Sequence, residues 1–475
     1  VFGLSAEWLL HEGRLVADVV VLSHPEQLDR LRCAVPEAAS SAAVVGDVCL
    51  DRMLASQPLR AVYRRALGAD DRQLVVVSST WGPASLFGTD PQWVARLAAG
   101  IPVDDFRVVL VLHPNIWAWH SPWQVRQWVR GCERVGVRVL PPEEGWRAAL
   151  VAADLVIGDH GSVTFYGAAL GRPVLLACAP VDQVDPRSAI GGFLRAAPRW
   201  REGTDPVAQL REAMDGYDPA ALREWTDLAT SVPGGAAGAL RTRLYALLRL
   251  TEPDPVAEVP LLPSPPAEGA AAGLAWLVVA RVDGAPVDGA RATTSRADPA
   301  DQADDGGAIK VDLVRYPAGL LRTDPQAVPA GAHLAVLGTD QPPARWLELA
   351  DVLVLPADAA SVDSLRATLA ALPGCRLASA ADPTGGWQVV VDGGPLVHFW
   401  PRDLPDPRGV PAVTGPADLA AVCGSAVYAW LGTGRPLDEL TGAVEIRLGS
   451  HRSFTLTCDV RARPGVCRGP GPGHR

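Results

Sequence analysis

Lysine is almost absent from this chain. Of its 43 Lys and Arg residues only Lys310 is lysine, and Val311 follows it. A P-loop needs Gly-Lys-Ser/Thr, so a P-loop ATPase or GTPase is excluded. A Schiff-base lysine could only be Lys310, inside an expected strand, which argues against a pyridoxal enzyme. Long hydrophobic runs are also missing. The longest candidate, Leu274 to Val279, is strand-sized, far short of the ~20 residues of a membrane span. Paired cysteines are missing as well. Cys33, Cys49, Cys132, Cys178, Cys375, Cys423, Cys458 and Cys467 are scattered, with no C-x-x-C pair and no Cys/His spacing that suits zinc. They read as reduced, mostly buried thiols of a cytoplasmic protein, and neither a metal nor a cofactor is expected. The start at Val1 carries no secretory-signal pattern. An excess of positive charge is absent too. The net charge is −10 and the pI about 5.4, the opposite of what a protein gripping nucleic-acid phosphates shows.

What is present fits a multidomain globular protein. A chain of 475 residues suggests two to four domains. With 48% hydrophobic and 20% charged residues it can bury real cores. The bias toward Ala, Arg, Gly, Pro and Val matches a GC-rich genome, and an actinobacterial source is the expectation. Short apolar runs alternate with helical patterns. Strands are expected at 73–77, 107–112, 137–140, 155–158 and 174–177, and helices at 50–67, 93–99, 124–135, 146–152 and 163–170. That order predicts a parallel sheet covered on both faces, a Rossmann-like lobe. Residues 201–250 read as helices, with Leu240, Leu244, Leu247 and Leu248 on one face. The Pro-, Ala- and Gly-rich stretch 251–273 reads as a linker between two cores. Residues 274–460 form a second α/β or α+β domain, with hairpins expected at 387–400 and 444–460. Segments 285–306 and 401–416 read as loops, and 461–475 as a disordered tail.

Ligands of an open parallel sheet bind beyond the carboxyl ends of its strands. Three polar clusters stand at such ends: Ser78, Ser79, Thr80 and Gly82; His113 and Asn115; and Asp159, His160, Gly161, Ser162 and Thr164. They are expected to share one rim. In the third cluster a strand turns into a helix. The helix start offers free N–H groups, Ser162 and Thr164 add hydroxyls, and Gly161 permits close approach, which together make a seat for a diphosphate. Equally, Asp159 or Ser162 could simply cap the helix. His113 could act as a general base or donate to a phosphate. Trp117, Trp119, His120, Trp123 and Trp128 crowd the next segment, where packing is favoured over stacking on a base or sugar. Glu143 and Glu144 read as solvated surface, with contact to ribose hydroxyls as the alternative.

The run Asp154–Leu176, DLVIGDHGSVTFYGAALGRPVLL, resembles the CDP-glycerol glycerophosphotransferase family, which works on a glycosyltransferase-B fold in teichoic-acid-like polymer synthesis. Asp159, Ser162 and Val163 match the family's Asp-x-Ser-Ser-Val. Gly161 and His160 depart from it. His113-Pro114 looks like its His-Pro, and Gly46-Asp47 with Asp51 like its Gly-Asp-x-x-x-Asp. The resemblance covers about residues 18 to 200. It implies that His113 meets the phosphate and that Ser162, Val163 and Thr164 surround the diphosphate. The family's Trp-His-Gly motif, whose His serves as base, has no counterpart before Gln73. Residues 1–70 therefore read as a remnant of an N-terminal Rossmann-like lobe, and 71–250 as the nucleotide-diphosphate-binding lobe.

The function expected from this is a transferase. It would move glycerophosphate or a related group from a nucleotide-diphosphate donor such as CDP-glycerol to an acceptor hydroxyl of a polymer- or lipid-linked partner. It would act in the cytoplasm, with contact at the inner membrane face allowed. The catalytic base is unassigned. Two alternatives stand beside it: a UDP-sugar glycosyltransferase or epimerase-like enzyme, and a non-catalytic nucleotide-binding or scaffold protein.

Overall fold

The computed structural model describes residues 4–266, 275–287, 308–320, 331–338, 344–383, 385–402 and 416–461. Most of the predicted loops 285–306 and 401–416 and of the predicted tail 461–475 lies outside the described residues; of their described ends, Ala285–Pro286, Pro401 and Arg461 belong to strands and Pro416 opens a helix. The chain divides into two compact units. One takes the residues up to 101 and from 106 to 270; the other takes 102–105 and the residues from 271 on.

The first unit opens with two short parallel strands, β1 (Val20–Leu22) and β2 (Ala42–Val44), joined by helix α1 (Pro25–Ala34). Leu9, Leu22, Leu31, Val35 and Ala38 form their own small core. The single helix expected over 50–67 is two, α2 (Val48–Ala55) and α3 (Arg60–Ala66), broken by a turn containing Pro58, which has no N–H to continue the ladder.

The main sheet follows in the predicted order. Its elements are β3 (Gln73–Ser79), α4 (Leu86–Thr89), α5 (Trp93–Ala99), β4 (Phe106–Leu112), α6 (Pro114–Trp119), α7 (Pro122–Arg134), β5 (Arg138–Val139), α8 (Trp146–Ala152), β6 (Leu155–Gly158), α9 (Ser162–Ala169) and β7 (Val174–Leu176). The five strands are all parallel, in the order β5-β4-β3-β6-β7. Both faces are covered, which is why the strand sequences are continuous apolar runs rather than alternating ones. The chain leaves β3 toward β4 and later returns to its other side as β6, so the exits of β3 and β6 flank a crevice. Glycine lets α9 lie flat on β6: a Cβ at Gly167 would stand 2.8 Å from Val156 Cγ2, and one at Gly158 would stand 2.1 Å from Thr164 Oγ1.

The leucine face of α10 (Ala236–Leu248) is exposed at Leu244, Leu247 and Leu248. The stretch read as a linker is, over 251–266, a strap without helix or strand that is tied to the first unit. Leu262 is buried, its N–H donates to Ser56 Oγ (3.0 Å), and its carbonyl accepts from Tyr63 Oη (2.8 Å). Its proline content reads as a linker in sequence, and extended backbone can equally be held by side chains that reach it.

The second unit is a ten-stranded mixed sheet. Its strands are β8 (Ala275–Val282), β9 (Ala285–Pro286), β10 (Ile309–Pro317), β11 (His333–Leu337), β12 (Val352–Val354), β13 (Leu377–Ala381), β14 (Trp387–Val391), β15 (Leu396–Pro401), β16 (Gly442–Leu448) and β17 (Arg452–Arg461). They run β9-β8-β10-β16-β17-β15-β14-β13-β12-β11, and β8 also pairs with β11, so the sheet closes on itself. Both predicted hairpins are present. Helix α11 (Val362–Ala371) packs on β13 outside, and α12 (Pro416–Gly432) packs against strands around the ring. From Leu419 to Trp430 every described side chain of α12 is buried. Its small residues permit this: a Cβ at Gly424 would stand 2.6 Å from Val352 Cγ1.

Candidate functional site: the exits of β3, β4 and β6

Asp159 organises the rim of the first unit. Its carboxylate is fully buried and accepts from Thr80 N (3.0 Å), Leu86 N (2.9 Å) and Gly161 N (3.0 Å), with Ser79 Oγ 3.2 Å away. It therefore binds the loop after β3 to the turn after β6, and its oxygens are committed to the protein. Ser78 and Ser79 correct the expectation: β3 runs on through them and both are buried. Ser79 Oγ also accepts from Phe87 N (2.9 Å). Thr164 is fully buried under β6, and Val163 packs on the core. Among the predicted ligand residues, Thr80, His113, Asn115, Gly161 and Ser162 remain at the rim, half-buried or exposed.

The helix start is open. Gly161 is the N-cap residue of α9, and no side chain caps the helix. Asp159 bonds the N–H of Gly161, which lies before the first helical residue, so the capping alternative is not what the fold uses. Space at Gly161 is tight: a Cβ there would lie 3.1 Å from Thr80 Cβ and 3.2 Å from Asp159 Oδ1.

His113 stands at the exit of β4, and its backbone N–H donates to Ser79 O (3.0 Å). Its Nδ1 accepts the N–H of Asn115 (3.1 Å), capping α6. A neutral imidazole that accepts at Nδ1 carries its proton on Nε2, so the ring offers a donor there. Burial pushes the His113 pKa below its ordinary value, and the nearby Asp159 charge opposes the shift.

The segment likened to Gly-Asp-x-x-x-Asp is a structural clasp. Asp47 caps α2 through Leu50 N (2.8 Å) and accepts from Tyr166 Oη (2.7 Å). Asp51 accepts from Gly234 N (2.7 Å) and Ala236 N (2.9 Å), holding the start of α10. Glu144 pairs with Arg147 (3.0 Å), whose guanidinium lies over Trp146 at 4.5 Å.

Beside His113 lies a cavity of about 370 Å³. Trp81, Phe87, Trp119 and Trp128 wall it, with Asn115 and His120 as polar members. Packing was expected of the Trp117–Trp128 cluster, yet Trp119 is 65% and Trp123 71% exposed. The aromatic wall comes from two strand exits at once, Trp81 and Phe87 after β3 and Trp119 and Trp128 after β4, so the stacking alternative weighed for the second cluster has a place in the fold. Among the described residues no group of His, Cys, Asp and Glu could hold a metal ion, and no helix is long and apolar enough to cross a membrane.

By sequence, no family profile and no curated protein matches this chain. Solved structures are similar over about half of it. The wall teichoic acid polymerase TagF is 14% identical at a TM-score of 0.35, over 49% of this chain and 57% of that one. Anabaena HepE in complex with UDP-glucose is 17% identical at 0.29, over 50% and 65%. S. aureus MnaA with UDP is 14% identical at 0.32, over 51% and 64%. The chain thus spans less than two thirds of the length of each of these neighbours. What the site can do is read from its own residues.

Proposed function

We propose that the first unit binds a nucleoside diphosphate across the crevice between β3 and β6, and that the chain is a transferase of glycosyltransferase-B type. In this reading its donor is CDP-glycerol or a related nucleotide diphosphate. Its acceptor is a hydroxyl on a polymer- or lipid-linked partner in the cytoplasm. The observation that carries the reading is the uncapped start of α9 on the same rim as the Nε2 donor of His113. A helix start concentrates N–H groups and the positive dipole end where an anion can sit. None of the residues read here as ligands is lysine or arginine, so backbone and imidazole donors take the task. Charge held there would ease departure of the nucleotide as the acceptor oxygen attacks phosphorus.

Ser162→Pro is the test. Pro removes one N–H at the first helical position, where it is tolerated, and Gly161 already has the extended conformation (ψ 152°) that precedes proline. Calorimetric titration should show CDP, UDP or their conjugates binding the parent, and binding at least about tenfold weaker to the variant. Equal binding by both proteins, or none by the parent, overturns the reading.

A further inference from the structure

The geometry points to the aromatic cavity beside His113 as a binding site for a neutral saccharide ring. This rests on the transferase reading for its place in a reaction, since the cavity adjoins the rim assigned there to the diphosphate. The Trp81 ring lies 6.3 Å from the His113 ring, and Asn115, whose N–H bonds His113, lines the cavity. A ring held in the cavity would thus be neighbour to the phosphate held by His113.

The chemistry of the walls selects the ligand. No Lys, Arg, Asp or Glu lines the cavity, so it suits neither an anion nor a cation needing a counter-charge. Ile116 is its one aliphatic side chain of size, whereas a prenyl chain would call for many. The walls are instead indole and phenyl. Trp81 and Trp119 meet edge to face at 4.4 Å and 72°, and His120 and Trp128 do so at 4.7 Å and 70°. These contacts hold the planes of the three tryptophans before any ligand arrives. The C–H face of a pyranose carries slight positive charge and matches the negative face of an indole, while its hydroxyls need polar partners at the edge. Asn115, His120 and Ser85 supply polar groups to the lining. About 370 Å³ lies in the range of small-molecule sites, roughly 300–1,000 Å³, and admits a ring with its substituents. The high exposure of Trp119 also suits a sugar, which stays partly hydrated when bound.

The ring could belong to a sugar-nucleotide donor or to a separate acceptor, and the test separates the two. Saturation-transfer NMR on the full chain would use UDP-glucose, methyl glucoside and maltose as probes, with CDP and UDP titrated in parallel. The expected result is transfer from aromatic protons to the C–H protons of at least one sugar. Trp119→Ala should weaken that binding about tenfold while leaving CDP and UDP binding unchanged. Trp119 is exposed, so the variant should fold, and Asn115→Ala gives a second, smaller loss at the polar edge. Transfer to the glucose of UDP-glucose alone assigns the ring to the donor; transfer to methyl glucoside or maltose assigns it to an acceptor. If no sugar shows transfer, or if Trp119→Ala changes nothing, the inference is overturned, whatever the nucleotides do. If sugars bind and nucleotides do not, the inference stands and the diphosphate reading falls.

Discussion

The two units handle polar groups in opposite ways. In the first, donors at the rim are left open: the start of α9 has no side-chain cap and His113 keeps a free Nε2. In the second, an arginine is drawn inside the closed sheet and paired there. Arg315 occupies an inward position of β10, between Leu313 and Pro317 in the alternating burial pattern. It bonds Asp104 through Nε (2.9 Å) and Nη2 (2.6 Å), pairs with Asp418 of α12, and lies over Trp276 at 4.8 Å. Burial works against its charge, but the two carboxylates outweigh it and hold the guanidinium more basic than usual. A unit that spends its charged groups on internal pairs is built for persistence. One that leaves donors open at strand exits is built to bind.

The sharpest way to break this contrast is Arg315→Met. It strips Asp418 of its guanidinium and leaves Asp104 only the longer contact to Arg452 (4.0 Å), and removing one member of a buried ion pair costs about 3–5 kcal/mol. Hydrogen exchange should accelerate in peptides covering 309–317 and 416–432, while 73–79 stays protected and nucleotide binding is unchanged. A loss under about 1 kcal/mol would show that the pair is not what holds the second unit.

A smaller effect lies in the same interior. His333 is buried, with Nε2 2.9 Å from Ser425 Oγ and its ring stacked on Tyr428 at 4.3 Å. Burial pushes its pKa down to about 3. The folded value is below the unfolded one, so the unfolded chain binds the extra proton first. The stability this contributes is complete above about pH 6.5 and is lost progressively as the pH falls toward 3. By pH 5 the second unit should be about 2 kcal/mol less stable than at pH 8 on this account. His333→Gln, which can still bond Ser425, should abolish most of that slope in urea melts read at the two pH values. An unchanged slope would move the acid sensitivity elsewhere.

The contrast also explains what the sequence disclosed. Strands β3 to β7 were legible because a parallel sheet covered on both faces writes itself as apolar runs with polar exits. Trp93–Ala99 and Trp146–Ala152 are helices over the predicted spans. Helix α12 was not recognised, because a helix buried all round has no polar face and so no amphipathic period. The closure of the second sheet was equally hidden, since it depends on β8 pairing with strands on both of its edges. At the site, residue types at strand exits picked out His113, Gly161 and Ser162. They could not tell that β3 would run two residues further and bury Ser78 and Ser79. Nor could they tell that Thr164 would turn under β6, a matter of helical phase that no spacing within the turn reveals.

The finest test concerns His113 itself. Its Nδ1 is already used on Asn115, so only Nε2 can serve a ligand. His113→Ala should weaken nucleotide-diphosphate binding by about 1–2 kcal/mol, the scale of one hydrogen bond to a charged group. The pH dependence distinguishes donor from base. Burial holds the His113 pKa below its ordinary value, so at neutral pH the ring is neutral and gives a proton only from Nε2. As the pH falls through that lowered pKa the ring gains charge, and attraction to a diphosphate diester such as UDP-glucose, which does not titrate in this range, should rise. Protonation also takes Nδ1 away from the Asn115 N–H, so the gain should be modest and should appear only well below pH 6.5. In His113→Ala the rise should vanish. If affinity instead falls with acid in the parent and not in the variant, then the bond from Asn115 to Nδ1 matters more to the rim than the charge does, and His113 is a cap of α6 rather than a phosphate donor.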